Sequence, residues 1–404
     1  MTIWLLAILL LASLAGLGFR QGAVRTAFSL VGILLGALIA PYLGKLVTPL
    51  FKAVGLKNPT LLWVLGPFVI FLIFSIAFKI AALAVHQKVD VHYKYNAGEL
   101  RMALWERLNR RVGLCLGLLN GTVYIILITW VIYAFSYWTV QMASSDNDPK
   151  TVKILNTMGR DLHSTGFAKV AAAVDRLKPP FYEAADVAGL LYNNSLLEAR
   201  VSRYPGFLGL AERPEFQGLA NDPKFSEMRL RGDPIMNVIN HPAVQPIMDN
   251  PELLRTIWTT VVPDIKDLTV FLQTAKSAKY DPEKILGRWN FNINATLAAH
   301  RRTKPNISST DMLKLKKWMM GNLMKASFVA TTEHQAILKN VPQLKASAAP
   351  TGPQTIQGQW QGGDGKYQLT FTAGSGNDDL FANVEGDRLT VKMTGLDLVF
   401  ERES

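Results

Sequence analysis

Apolar positions change their period twice along this chain. Over the first 140 residues they come in long runs: MTIWLLAILLLASLAGLGF (1–19), TAFSLVGILLGALIAPYL (26–43), LLWVLGPFVIFLIFSIAF (61–78, continuing past Lys79 to Val85) and VGLCLGLLNGTVYIILITWVIYAFSYW (112–138). At ~1.5 Å per helical residue each run is about 27 Å or longer, enough to cross a ~30 Å hydrocarbon layer. Four such runs so close together leave little polar surface for a water-soluble fold. The pattern predicts a membrane all-α domain of four transmembrane helices over 1–145. The first run has no positive leading segment and no small-x-small cleavage site, so it is read as a retained span.

Beyond residue 145 the period becomes that of short amphipathic helices, predicting an α-helical region over 146–284. Asp148-Pro149 opens TVKILNTMGRDL as a cap followed by a first-position proline, GFAKVAAAVDRL follows, and Pro179-Pro180 interrupts the chain before FYEAADVAGLLYNN. A repeat then runs over 205–257. Pro205, Pro214, Pro223, Pro234, Pro242 and Pro251 are spaced 9, 9, 11, 8 and 9 residues apart. Two residues after each proline stands Phe207, Phe216, Phe225, Met236, Val244 or Leu253; three further on stands Leu210, Leu219, Met228, Ile239, Ile247 or, breaking the pattern, Thr256. Asp222, Asp233, His241 and Asn250 precede four of the prolines, so each unit reads as a capped helix of about two turns with its apolar pair on one face. Helices this short must pack against something. Their apolar pairs either face a core of their own or form a groove for a hydrophobic peptide lined by Phe207, Phe216, Phe225 and Met236. The repeats resemble the Asp-Pro-rich domains of heat-shock co-chaperones, which hold hydrophobic segments.

From residue 285 the pattern alternates with period two. GRWNFNINATL (287–297) reads as a strand and SSTDMLKLKKWMMGNLM (308–324) as a capped helix; QGQWQGG, KYQLTFT, DLFANVE, RLTVKMT and DLVFERE read as strands. Asp364-Gly365, Gly374-Ser375-Gly376 and Gly386-Asp387 mark the turns. The prediction is a β-meander or small barrel over 285–404, with KASAAPTGPQT (345–355) as a long loop inside it. Gly287-x-Trp289 and Gly358-x-Trp360 resemble the Gly-x-Trp that opens a lipocalin strand, with Arg402 placed to cover an indole by a cation–π contact. Trp289, Trp360 and Arg402 are therefore either core residues or the wall of a lipophilic barrel pocket.

Charge adds orientation. The net charge of +12 looks like a nucleic-acid binder's, yet residues 1–145 hold twelve Lys/Arg against Asp90, Glu99 and Glu106, which places +9 of it in the membrane domain. Arg20 and Arg25 lie between the first two runs; Lys88, Lys94, Arg101, Arg107, Arg110 and Arg111 lie between the last two. This bias puts those loops in the cytosol and both termini, with the whole region after 145, on the other side. Trp4, Trp63 and Trp138 fall at the outer boundary, with Tyr42 and Tyr137 nearby. No nucleic-acid partner is expected.

The segment NRRVGLCLGLLNG places Arg110 and Arg111 before Gly113, Gly117 and Gly121. Glycines four apart make a bare stripe on a helix, where a second helix can approach closely and where two copies of the chain could meet; Gly32 and Gly36 offer a similar notch. At these residues the chain resembles the colicin V production protein (CvpA) family, bacterial inner-membrane proteins of four spans. FRQGAVRTAFSLVG supplies that family's first-loop pattern through Arg20, Gly22, Arg25, Ser29, Leu30 and Gly32. Arg110, Gly113, Gly117 and Gly121 match its last span, with Asn109 where an aspartate is usual. The resemblance covers about 1–145 and implies a bacterial inner-membrane protein linked to colicin V production or export and to envelope maintenance. Related segments anchor extracytoplasmic proteases.

Candidate chemistry is sparse. Cys115, the one cysteine, lies within the fourth run, and the six histidines have no metal-ligand spacing. No phosphate-binding glycine loop or serine-nucleophile motif occurs. No enzyme activity, metal or cofactor is expected. Two functions follow: a non-enzymatic membrane base holding an outer module that binds an envelope protein or a lipophilic ligand, or a component of a transport or export pathway. Acidic residues inside the spans would favour the second, and none occurs.

Overall fold

A computed structural model describes residues 2–56, 59–96, 98–143, 148–342, 354–373, 376–393 and 396–403. The chain divides into two compact units, Met1–Gly189 with Arg231–Leu254, and Leu190–Leu230 with Arg255–Ser404.

The first unit is built on α1 (Thr2–Ala53), α2 (Pro59–Asn96) and α3 (Glu99–Gln141). All three are long and apolar enough to cross a membrane. Three long helices thus stand where the run pattern predicts four. The difference lies in α1, which takes up both of the first two runs and leaves helical geometry at Gly22 (φ 81, ψ 168). Only glycine adopts that backbone region freely, so the arginine-flanked joint bends at one residue without a loop. Before Gly22, α1 packs antiparallel on α3: Ile3 clusters with Ile132, and Gly18 lies against Gly113 and Gly117. After it, α1 packs antiparallel on α2, with Gly32 against Phe78 and Gly44 against Pro67. The basic stretch between the third and fourth runs is largely helical, since α2 runs on to Asn96 and α3 begins at Glu99.

Leu5, Ile8, Leu9, Ile73, Ile76 and Leu119 remain exposed on these helices, an arrangement stable where the solvent is lipid. Three further helices, α4 (Lys150–Thr165), α5 (Phe167–Val174) and α6 (Pro179–Asn193), follow. Pro149 is itself the cap residue of α4, one position later than predicted, and α6 starts on Pro179 rather than after the proline pair. A Cβ on Gly159 of α4 would overlap Ser136 of α3, and Leu162 joins the Ile3–Ile132 cluster. Trp4 meets Phe167 at 4.9 Å, while Trp63 and Trp138 meet Phe181 at 6.4 and 5.6 Å. The tryptophans expected at the outer boundary therefore dock the helices that follow the spans.

After α7 (Leu196–Val201), the proline repeat forms a 3-10 turn at Pro205–Phe207, α8 (Leu208–Ala211), α9 (Pro214–Ala220), α10 (Pro223–Arg231), α11 (Ile235–Ile239), α12 (Gln245–Met248) and α13 (Pro251–Val261), and α14 (Ile265–Thr274) follows. Two of the four predicted caps form: Asp222 accepts from the N–H groups of Lys224 and Phe225 (2.8 and 3.1 Å) and Asn250 from Leu253 (3.0 Å). His241 accepts from Ala243 N–H (3.2 Å) in a turn before α12, whose cap position is Val244, and α11 has Pro234 rather than Asp233 at its cap position; neither helix has a side-chain cap.

In the second unit the alternating region closes into a barrel of eight antiparallel strands paired in chain order. They are β1 (Gly287–Phe291), β2 (Ser327–Ala330), β3 (Gln335–Val341), β4 (Gln354–Gly363), β5 (Lys366–Ala373), β6 (Gly376–Glu385), β7 (Arg388–Met393) and β8 (Leu396–Arg402). Helices α15 (Ile293–Thr303) and α16 (Ser309–Asn322) are inserted after β1. β1 ends sooner than predicted, because Asn292 caps α15 by accepting from Ala295 N–H at 2.9 Å. Pairing of β1 with β8, Trp289 beside Arg402 and Phe291 beside Phe400, closes the barrel. Of the predicted connections, 345–353 and Gly374-Ser375 lie outside the described residues.

Candidate functional site

The two arginine–glycine motifs, about 90 residues apart in sequence, meet at the Gly22 joint. Asn109 stands against Gly22, where a Cβ would overlap its side-chain amide, and its Oδ1 accepts a hydrogen bond from Ala23 N–H at 2.6 Å. The broken helix leaves its next N–H groups without intrahelical partners, and the buried Asn109 oxygen satisfies one of them. An amide or a carboxylate oxygen serves equally well, so this helix-capping role survives the departure from aspartate. Thr26 returns its hydroxyl to Gly22 C=O at 2.7 Å, and Asn120 donates to Thr26 C=O at 3.2 Å. The joint is thereby tied to the middle of α3.

Beside it opens a cavity of about 240 Å³ between α1, α2 and α3. Arg20 enters from α1, His86, Asp90, Tyr93 and Lys94 from α2, and Trp105, Glu106 and Arg110 from α3. Tyr93 and Trp105 stack with ring planes 2° apart and centroids 4.5 Å apart, forming one wall. His86, nine-tenths buried, faces Asp90 Oδ2 through Nε2 at 3.3 Å, while its Nδ1 is buried with no hydrogen-bond partner among the described residues. Arg110 lies 3.9 Å from Glu106, both largely exposed. Arg20 forms no ion pair among the described residues, and Lys94 has only the Tyr95 ring at 5.8 Å. The cavity thus combines unpaired cations, an aromatic wall and an unsatisfied imidazole. Arg25 lies outside it, half-buried, with Nε unpartnered.

The predicted glycine stripe makes close helix contacts in this unit. Gly113 meets Gly18 and Gly22, Gly117 meets Leu14 and Ala15, and Gly121 meets Leu11. The stripe is covered by α1 of the same chain, so these three glycines are not a free face for a second copy. Gly32 and Gly36 are likewise covered, by Phe78 and by Phe71 with Phe74.

The repeat residues are placed differently. Phe207 and Phe216 contact each other at 5.3 Å, and with Phe225 they are half-buried in the second unit. Met236 is largely exposed and belongs to the first unit. Leu208, next to Phe207, is fully buried against Val329 and Ile337 of the barrel wall. Glu212 pairs there with Arg288 at 2.8 Å and with Lys339. In this part of the repeat it is Leu208, one residue after Phe207, that packs on the barrel.

The barrel interior is solid. Trp289, Phe328, Leu369, Phe371, Leu389 and Phe400 are fully buried in one core that also holds Trp360, so of the two alternatives for these indoles the structure favours core packing. Trp289 Nε1 donates to Ile285 C=O at 2.8 Å and Trp360 Nε1 to Thr331 C=O at 3.1 Å. The Arg402 guanidinium sits 4.2 Å from the Trp289 ring centre and donates to Leu286 and Lys284 C=O, both at 2.7 Å. This group covers the Trp289 ring. A concavity of about 540 Å³ lies instead on the outer face of β4–β7, around exposed Phe381.

Long apolar helices, basic residues gathered at one end and glycine-to-glycine packing define a multi-pass membrane domain. Residues 3–149 match the family model described as Colicin V production protein. No curated protein and no solved structure matches the chain.

Sequence reasoning missed His86, Asp90, Tyr93 and Trp105. Their signal was present: His86 and Asp90 are four apart on a helix, and an aromatic stands on each side of the turn near residue 98.

Proposed function

We propose that this protein is a non-enzymatic, multi-pass component of the bacterial inner membrane. Its four crossings form a base, and its helical and barrel parts stand outside the cytosol to bind an envelope component. The observation that carries this reading is the Gly22 joint. At ~1.5 Å per residue the 52 residues of α1 would extend about 78 Å as a single rod, more than twice the hydrocarbon thickness. The halves on either side of Gly22 instead pack antiparallel on different helices, as two successive crossings would. Arg20 and Arg25 flank the joint, and the helical turn near residue 98 is also basic; both fit a cytosolic surface.

The filled barrel supports binding through an outer surface rather than an internal pocket. Protein is the expected partner class, in keeping with the family's link to colicin V production. Topology reporters fused after residues 52, 95 and 404 should read outside, inside and outside. A cytosolic signal from the last fusion overturns the proposal. Ion flux through the reconstituted protein would favour an export or transport role instead.

A further inference from the structure

We propose that the cavity beside the Gly22 joint binds the phosphate group of an anionic phospholipid from the leaflet on its side. The inference builds on the membrane-base reading and gives its basic end a ligand. Topology explains why cations collect at this end of the helices, but it does not explain why three of them surround one cavity. Arg20, Lys94 and Arg110 come from three helices, and the two carboxylates that line the cavity are already engaged: Asp90 with His86, and Glu106, loosely, with Arg110. The cations are exposed, as a site filled from the headgroup layer requires. The unpartnered buried Nδ1 of His86 marks a polar environment that the protein alone leaves unsatisfied.

A phosphate diester fits this chemistry. Guanidinium groups grip its oxygens through paired charge-assisted hydrogen bonds, and an ammonium adds a point charge. Basic pockets between membrane helices on the cytosolic side are suited to anionic headgroups. The stacked Tyr93–Trp105 pair supplies an apolar wall with polar edges, the kind of surface that settles at the headgroup level. A bound lipid would bridge α1, α2 and α3 where α1 is broken.

The full-length protein should be reconstituted in nanodiscs of phosphatidylcholine, alone or mixed with phosphatidylglycerol, and retained lipid read by native mass spectrometry. The wild type should keep phosphatidylglycerol selectively. Combined Arg20→Gln and Arg110→Gln should lower that retention about tenfold or more, the loss of at least one charge-assisted hydrogen bond. Arg20→Lys should fall between, and Arg101→Gln, on the exposed face of α3 outside the cavity, should match the wild type. Unchanged helical circular dichroism in each variant separates loss of the ligand from loss of the fold. Equal retention of both lipids, or undiminished retention in the double variant, overturns the proposal. So does calorimetric binding of inorganic phosphate to the detergent-solubilised protein without selective lipid retention, which would identify a soluble phosphate site. Nanodiscs offer lipid to both faces, so this outcome is independent of the topology fusions.

Discussion

The membrane helices and the barrel solve opposite packing problems. In the helices, contacts are made by Gly18, Gly113 and Gly117, while Leu5, Ile8 and Leu9 point away from the protein. In the barrel, Trp289, Phe328, Phe371 and Phe400 are fully buried. The solvent makes the difference. Water rewards burial by about 25 cal/mol per Å² of apolar surface, so large side chains turn inward. Lipid is as apolar as leucine, so helices gain little by hiding large side chains from it and associate through close van der Waals contact. In this molecule, a small residue in one unit does the work that a large residue does in the other.

Inverting the size at each position tests that contrast. Gly18→Leu would drive a side chain into the backbone of Gly113 and should cost more than ~3 kcal/mol, abolishing a monodisperse peak in detergent chromatography. Retention of a normal peak would show that the α1–α3 contact is dispensable. Trp289→Ala should cost about 3–5 kcal/mol and melt the barrel first, seen as lost near-ultraviolet dichroism while the helical signal persists. Arg402→Ala removes two carbonyl contacts and the cover over Trp289, and should cost about 2 kcal/mol in a denaturant titration. Asn109→Ala should cost about 1 kcal/mol through the lost cap on Ala23, whereas Asn109→Asp, which retains an acceptor oxygen, should be nearly silent in thermal melts.

The smallest effect is an alkaline one. Burial, followed by the Tyr367 hydroxyl's hydrogen bond to Glu283, pushes the Tyr367 pKa from 10.0 up to about 12. A group whose pKa is raised on folding contributes its full stability below the unfolded value and loses it as pH climbs through the folded one. Barrel stability should therefore decline between pH 10 and about 12, and Tyr367→Phe should flatten that part of the curve.

The apolar runs were legible because lipid imposes a length, and the strands because half-buried sheets impose alternation. The caps at Asp222 and Asn250 were legible because capping acts over two or three residues. The union of two runs in α1 was hidden, since it turns on the dihedrals of Gly22 alone. Barrel closure was equally hidden, since β1 finds β8 across more than a hundred residues, with two helices between β1 and β2. The cavity combines residues 20, 86–94 and 105–110; Arg20 and Arg110 belong to motifs, but His86, Asp90, Tyr93 and Trp105 do not. Its cations were read for topology, which accounts for their side of the membrane but not for their convergence.

The β1–β8 pairing has a temporal consequence. The strand that completes the ring lies more than a hundred residues after β1, so the cylinder cannot shut until the chain has been made through Arg402. Until then β1 has an unmatched edge, of the kind that invites pairing with foreign strands. Deletion of residues 396–402 alone would remove the whole closing strand and leave an open, sticky sheet.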